Sequence, residues 1–217
     1  KLKKRVLLNV ELRSRKALFC QRIFLRLKKN NKNIVIFASG SGSNAVKIFD
    51  HFKGKDNVNI DCLYCNNPGA KVLKTFKRLN IKTVLFSKTD FENKKILKSL
   101  IKRNPDLIIL AGFLLKIPKE ITIAFKNKIT NIHPSLLPSY GGKGMYGQNI
   151  HKAVLLNKEK VSGLTIHYVS TKYDDGAIIL QKDVSLVPLK TANPLSAKIL
   201  AEEHLNYTVV IENLLAK

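Results

Sequence analysis

From residue 33 onward, short apolar runs alternate with stretches that carry an apolar residue at every third or fourth position. NIVIFAS (33–39) is a continuous β-rich run ended by Ser and Gly, the pattern of a strand buried on both faces. A helix is expected over 44–52, and VNIDCLYC (58–65) is the next strand. AKVLKTFKRLN (70–80) places Val72, Phe76 and Leu79 on one helical face. KTVLF (82–86) follows as a strand, and TDFENKKILKSLIKRN (89–104) as one helix capped by Thr89 or Asp90. DLIILAGF (106–113) is the fourth strand. PKEITIAFKN (118–127) is a short helix with Pro118 in its first turn, and KITNIH (128–133) is the fifth strand.

Strand–helix alternation at this spacing predicts an α/β fold with a doubly wound, mostly parallel sheet. After a glycine-rich loop, GQNIHKAVLLN (147–157) predicts a helix. SGLTIHYVS (162–170) and GAIILQKDVSLV (176–187) are strands joined by the short TKYDDG, which implies an antiparallel hairpin. A terminal helix is expected over 194–215. The whole predicts about seven strands with an antiparallel C-terminal portion, without internal repeat or second folded domain. Ligands on such sheets sit beyond the carboxyl ends of the strands. Residues 39–44, 112–113 and 131–133 all fall there, so three separate segments are expected to converge on one rim.

Two of these segments carry chemistry. SGSGSNA matches G-x-G-x-x-A from Gly40 through Gly42 to Ala45, and Asp61 lies about where a ribose-binding acid would in a dinucleotide site. Glycines let backbone amides approach an anion, and the helix that follows adds a partial positive charge. A single phosphate, a dinucleotide or a plain tight turn each fit. In TNIHPSLLPSYGGKG (130–144), Asn131 and His133 are two apart on a strand end, so both can face one side of the rim. Pro134 holds His133 toward extended geometry. An amide N–H and an imidazolium aimed at one point would stabilise a developing oxyanion. A carboxylate would orient the histidine and favour its charged form. Asp174 and Asp175, in YDDGA, are the candidates, although Asx residues at turns are commonly turn formers.

Composition modifies this picture only slightly. The chain has 217 residues, 45% hydrophobic, enough to bury a sizeable core. No apolar run approaches the ~20 residues of a membrane helix, so a soluble chain without a membrane span is expected. A net charge of +24 raises a nucleic-acid partner. Residues 1–33 hold twelve Lys and Arg against Glu11 alone, and the rest of the excess is single lysines on helix faces. A lysine-loaded solvated surface is the simpler account, and nucleic acid is not expected as a partner. Residues 1–32 form a basic, acid-poor extension, expected to be disordered or to serve in targeting, ahead of a catalytic domain over 33–217. Cys62 and Cys65 are three apart on a strand and so face opposite sides, which suits inert buried thiols in a reducing compartment better than a redox or zinc pair.

Together GSGSN, PDLIILAGF, NIHPSLLPSYGGKG, GLTIHYV, YDDGAIILQ and EEH resemble the phosphoribosylglycinamide formyltransferase family, in the family's order, over about residues 33–215. The resemblance implies a formyltransferase fold and transfer of a formyl group from 10-formyltetrahydrofolate, as co-substrate, to the amine of glycinamide ribonucleotide in purine synthesis. It implies Asn131, His133 and Asp174 as the catalytic trio, and selects Asp174 over Asp175. Gly42, Ser43 and Asn44 match the ribonucleotide phosphate loop, and Glu203 the acid that holds the glycinamide end. Leu114, Leu115, Lys116 and Ile117, with the loop from Ser170 to Asp174 and with Asn131, match the folate pocket. No metal is implied. A cytoplasmic enzyme, monomer or homodimer, is expected.

The chain departs from some relatives in lacking an arginine near Thr89 and another at Leu115, for which Lys88 or Lys116 could compensate. Lys143 reads as a solvated loop lysine or a contact to the substrate phosphate. His51, His151 and His204 read as surface or packing histidines, and His167 as a neighbour of the catalytic groups. The loop after His133 is expected to free the strand end and to close over the site. Competing functions are another folate formyl enzyme, either a formyltetrahydrofolate deformylase or an amino-sugar or tRNA formyltransferase. From a different class comes a non-enzymatic basic RNA-binding protein.

Overall fold

The computed structural model describes residues 31–217. The basic extension expected over 1–32 therefore lies, but for its last two residues, outside the described residues. Strands β1 (Lys32–Phe37), β2 (Val58–Cys65), β3 (Thr83–Leu85), β4 (Leu107–Leu110), β5 (Ile129–His133), β6 (Val161–Tyr168) and β7 (Ile178–Ser185) form one sheet in the order β3-β2-β1-β4-β5-β6-β7. The pairs from β3 to β5 are parallel, and β5–β6 and β6–β7 are antiparallel. This is the architecture that the sequence pattern predicts, strand for strand.

The helices are α1 (Ser43–Phe52), α2 (Lys71–Arg78), α3 (Lys88–Glu92), α4 (Lys95–Arg103), α5 (Lys119–Ala124), α6 (Gln148–Leu156) and α7 (Ala192–Leu215). They cover both faces. Ile48 of α1, Phe76 of α2, Val154 of α6 and Ile211 of α7 join one apolar core, and Phe91 of α3, Leu100 of α4 and Ile121 of α5 join the other. Each such buried apolar side chain contributes about 1.5–3 kcal/mol. Cys65 lies in the first core and Cys62 in the second, so the two thiols do face opposite sides. Burial pushes the Cys62 thiol up to about 11, which makes it a poor nucleophile.

One expected helix is two. Ser87, not Thr89 or Asp90, caps α3: its Oγ accepts from the Asp90 amide at 3.2 Å, while the Asp90 carboxylate accepts from the Ser87 amide at 2.7 Å. This reciprocal cap closes a helix of barely more than one turn. Lys94 then takes a left-handed conformation (φ 55°), and α4 restarts with its own apolar face. The break lets Phe91 turn into an aromatic group with Phe37, Phe86 and Phe113. Periodicity alone joined the two because both halves keep helical spacing.

The chain runs outward from β1 to β3, then crosses back to place β4 on the other side of β1. The carboxyl ends of β1 and β4 thus flank a topological switch point, where a crevice opens. Ser39 spans it: its amide donates to the Gly112 carbonyl at 3.1 Å, and its Oγ accepts from the Leu114 amide at 3.1 Å.

Candidate active site

The glycine loop after β1 leads straight into α1. Gly42 has φ 77°, and a Cβ there would run into the side chain of Val72, so glycine is required on both counts. The Gly42 carbonyl accepts from the Val46 amide, which closes the first turn and leaves the amides of the loop facing outward from the helix start. Asn44, in that first turn, is nearly buried and donates from Nδ2 to Glu203 Oε2 on α7 at 2.7 Å. Glu203 is held by its own helix: one turn later Tyr207, fully buried, sends its hydroxyl to the carbonyls of Leu110, the last residue of β4, and of Thr130 in β5. Lysine and arginine are absent from Glu203's hydrogen-bond partners among the described residues, and burial pushes its carboxyl up to about 7.

That shift carries a stability consequence. Above its ordinary value of 4.5, an unfolded Glu203 releases its proton while the folded one keeps it up to about 7, so stability is lost as pH rises through this window. Glu203→Gln can still accept from Asn44. Its thermal unfolding should gain on the parent between pH 5 and pH 8, by up to roughly 3 kcal/mol. A gain of the same size at both pH values would show that Glu203 ionises normally.

Across the crevice, β5 presents Asn131 and His133. Antiparallel pairing sets Asn131 opposite His167 and His133 opposite Thr165. Asn131 Nδ2 lies 3.1 Å from His167 Nε2, and His167 Nδ1 lies 2.8 Å from the Tyr168 carbonyl. A carbonyl only accepts, so His167 carries its proton on Nδ1 and its bare Nε2 accepts from the Asn131 amide. Burial keeps His167 below the usual histidine range and so keeps it neutral. His167 therefore fixes which end of the Asn131 amide is the donor, and leaves that NH2 one free hydrogen. His133 is treated likewise: Nε2 donates to the Tyr140 carbonyl at 2.8 Å. The remaining nitrogen, Nδ1, is 3.7 Å from Asp174 Oδ2.

Asp174 lies on the β6–β7 connection in a left-handed conformation (φ 49°). Its Oδ2 accepts from the Gly142 amide at 2.9 Å, and its Oδ1 is 3.8 Å from His167 Nε2. Asp175 instead points to solvent, 3.7 Å from Lys172. Of the two aspartates that spacing left open, Asp174 is the one that lies near the histidines.

A cleft of about 680 Å3 joins these groups. Gly42, Ser43, Asn44, Leu114, Asn131, His133, Asp174 and Glu203 all line it, as do Lys143 and the 142–147 loop. Leu115, Lys116, Ile117 and Ser170 do not; they border an adjoining depression of about 60 Å3 that shares Phe113, Asn131, Tyr173 and Asp174 with the cleft. Lys116 sets its ammonium 5.6 Å from the centre of the Tyr173 ring. Lys88 borders neither space and pairs loosely with Glu92.

Three sequence expectations change. Asp61, the acid considered for a dinucleotide ribose, sits mid-strand and is paired with Arg103 at 2.6 Å, so it does not reach the rim. His151, read as a surface or packing residue, is buried as a packing residue would be, but it also lines the cleft. The loop after His133 is not loose throughout. Ser135 and Leu137 are buried, and Thr165 and Gln181 bond their carbonyls and the Leu137 amide, so this half of the loop is tied to the sheet. Among the described residues, no group of His, Cys, Asp and Glu is placed to hold a metal ion, and no helix is long and apolar enough to cross a membrane.

Known proteins are similar to this chain in sequence and fold. The formyl transferase family model matches residues 32–211. A chloroplastic phosphoribosylglycinamide formyltransferase of Vigna unguiculata is 39% identical over 189 residues, covering 84% of this chain and 61% of the relative. The Arabidopsis thaliana protein of that name is covered to 64%, so the chain spans rather less than two thirds of these two relatives. The phosphoribosylglycinamide formyltransferase of Bacillus subtilis is 35% identical, over 85% of this chain and 95% of its own length. The crystal structure of the Bacillus halodurans protein of that name superposes with a TM-score of 0.77 at 32% identity, over 86% and 96% of the two chains. With the family model, the sequence identities and the shared fold in agreement, the chain belongs to the formyl transferase family, on its phosphoribosylglycinamide formyltransferase branch.

Proposed function

We propose that this protein transfers the formyl group of 10-formyltetrahydrofolate to the amine of glycinamide ribonucleotide. The observation that carries this reading is the meeting of Asn131, His133 and Asp174 in one cleft with the glycine loop and Glu203. The amides around Gly42, Ser43 and Asn44 take the substrate phosphate, with Lys143 on the loop opposite. Glu203 holds the glycinamide end. The folate ring lies against Leu114 and the depression lined by Leu115, Lys116, Ile117 and Ser170, next to Asn131 and Asp174.

The amine nitrogen attacks the formyl carbon, a C–N bond forms, and the carbonyl electrons move onto the formyl oxygen. The free hydrogen of Asn131 Nδ2 and a proton on His133 Nδ1 bind that oxygen. His133 must use Nδ1 because its Nε2–H is already given to Tyr140. The gap of 3.7 Å between Nδ1 and Asp174 is too long for a hydrogen bond, and it leaves the Nδ1 proton free for the substrate while the carboxylate offsets the imidazolium charge. Asp174 also positions a water that carries the proton from the attacking amine to N10 of the folate. The C–N10 bond then breaks, and tetrahydrofolate leaves. Holding both substrates in one cleft makes the transfer effectively unimolecular.

The reading takes the enzyme to be cytoplasmic and a monomer or homodimer. Its test is an assay with both substrates. Formyl glycinamide ribonucleotide should form only when the ribonucleotide is present. Formate released without it would mean a deformylase, and salt-dependent RNA binding without formyl transfer would mean the non-enzymatic alternative.

A further inference from the structure

His151 is placed by α6, and its side chain is 3% exposed. It lines the main cleft, along with Ser196 and Glu203 of α7. Its neighbours in sequence explain the burial: Ile150 and Val154 pack α6 into the core and carry His151 inward with them. Yet Nδ1 of the ring is buried and has no hydrogen-bond partner among the described residues. A buried polar nitrogen left without a partner costs stability, and the residue that carries this one borders the space where substrate must sit. The mechanism above gives it no task.

We propose that His151 is a substrate-binding residue whose Nδ1 hydrogen-bonds a ribose hydroxyl of the ribonucleotide. The proposal rests on the ribonucleotide reading of the cleft and adds a contact to it. The chemistry favours a hydroxyl over the phosphate. Burial holds His151 below the usual histidine range, so the ring is neutral near pH 7 and offers one N–H and one bare nitrogen. A hydroxyl both donates and accepts and satisfies either tautomer. A phosphate dianion only accepts and calls for a charged partner, which the glycine-loop amides and Lys143 already supply. A neutral polar ring in a buried wall also discriminates. A ligand lacking the hydroxyl leaves Nδ1 as unpaired as it is now, while one bearing the hydroxyl satisfies it.

The test uses ribose 5-phosphate and inorganic phosphate as probes, titrated calorimetrically into the full chain and its His151→Leu variant. His151→Leu should bind ribose 5-phosphate about tenfold more weakly and inorganic phosphate within about twofold of the parent. Unchanged ribose 5-phosphate affinity, or an equal loss for both probes, overturns the proposal. Should the variant fail to fold, the parent labelled with 15N-histidine supplies the readout. The Nδ1 resonance of His151 should shift with ribose 5-phosphate and stay in place with inorganic phosphate; a resonance unmoved by ribose 5-phosphate overturns the assignment. A parent protein that binds neither probe removes the ribonucleotide reading and this contact together, whereas a parent that binds both while His151→Leu binds equally well removes His151 alone.

Discussion

Replacing Asp174 by Asn should lower kcat on the order of 10^3-fold and leave the fold intact. Both halves of this expectation come from the same side chain. Asn is well suited to the left-handed conformation at φ 49°, and its Oδ1 can accept from the Gly142 amide as the carboxylate does. What disappears is the negative charge 3.7 Å from His133 Nδ1 and 3.8 Å from His167 Nε2. Without it the imidazolium that faces the oxyanion is uncompensated in a site where the histidine is 4% exposed, and the relay water loses the group that positions it. With its phosphate on the glycine loop and its glycinamide end at Glu203, as proposed, the ribonucleotide should keep its KM and the loss should fall on kcat. Asp175→Asn is the control: that side chain meets only Lys172 at the surface, and activity should stay within about twofold. Single-turnover rates with both substrates saturating make the measurement. An Asp174→Asn variant within tenfold of the parent would place the proton transfer on another group.

The strands were legible because each is a bounded apolar run, and the convergence of three loops on one rim followed from the rule for parallel sheets. The single helix expected over 89–104 is two, because a capping box and one left-handed lysine leave the 3.6-residue period undisturbed. Site residues divided along a similar line. The period-2 spacing of Asn131 and His133 before Pro134 was enough to place both on one rim, and both line the cleft. The choice of Asp174 came from the resemblance, not from spacing. The role of His167 depended on strand register: it faces Asn131 only because β6 pairs with β5 at that offset, and the length of the 134–160 excursion gives no hint of the offset. The position of His151 in the cleft wall was also hidden. A histidine among Ile150, Val154 and Leu155 reads as packing, and it takes the angle between α6 and α7 to bring one such residue to the cavity edge.

Asn131→Ala should cost about 3 kcal/mol in transition-state stabilisation, roughly 10^2-fold in kcat, as for the loss of any single oxyanion donor in a dry site. A second cost is separate from it. His167 Nε2, in a ring 2% exposed, now accepts from the Asn131 amide, and truncation leaves it buried and unpaired. Stability should fall by about 1–3 kcal/mol for that reason alone. The two effects can be pulled apart with His167→Leu, which removes the acceptor. Alone, it frees the Asn131 amide to rotate and should lower kcat about tenfold, a loss confined to aiming the donor. In the Asn131→Ala background it should lower kcat no further, because no donor is left to aim, and it should recover part of the lost stability, because no unpaired nitrogen remains. Full additivity in kcat between the two substitutions would mean that His167 acts on the reaction directly, with the 3.8 Å approach to Asp174 Oδ1 as its route.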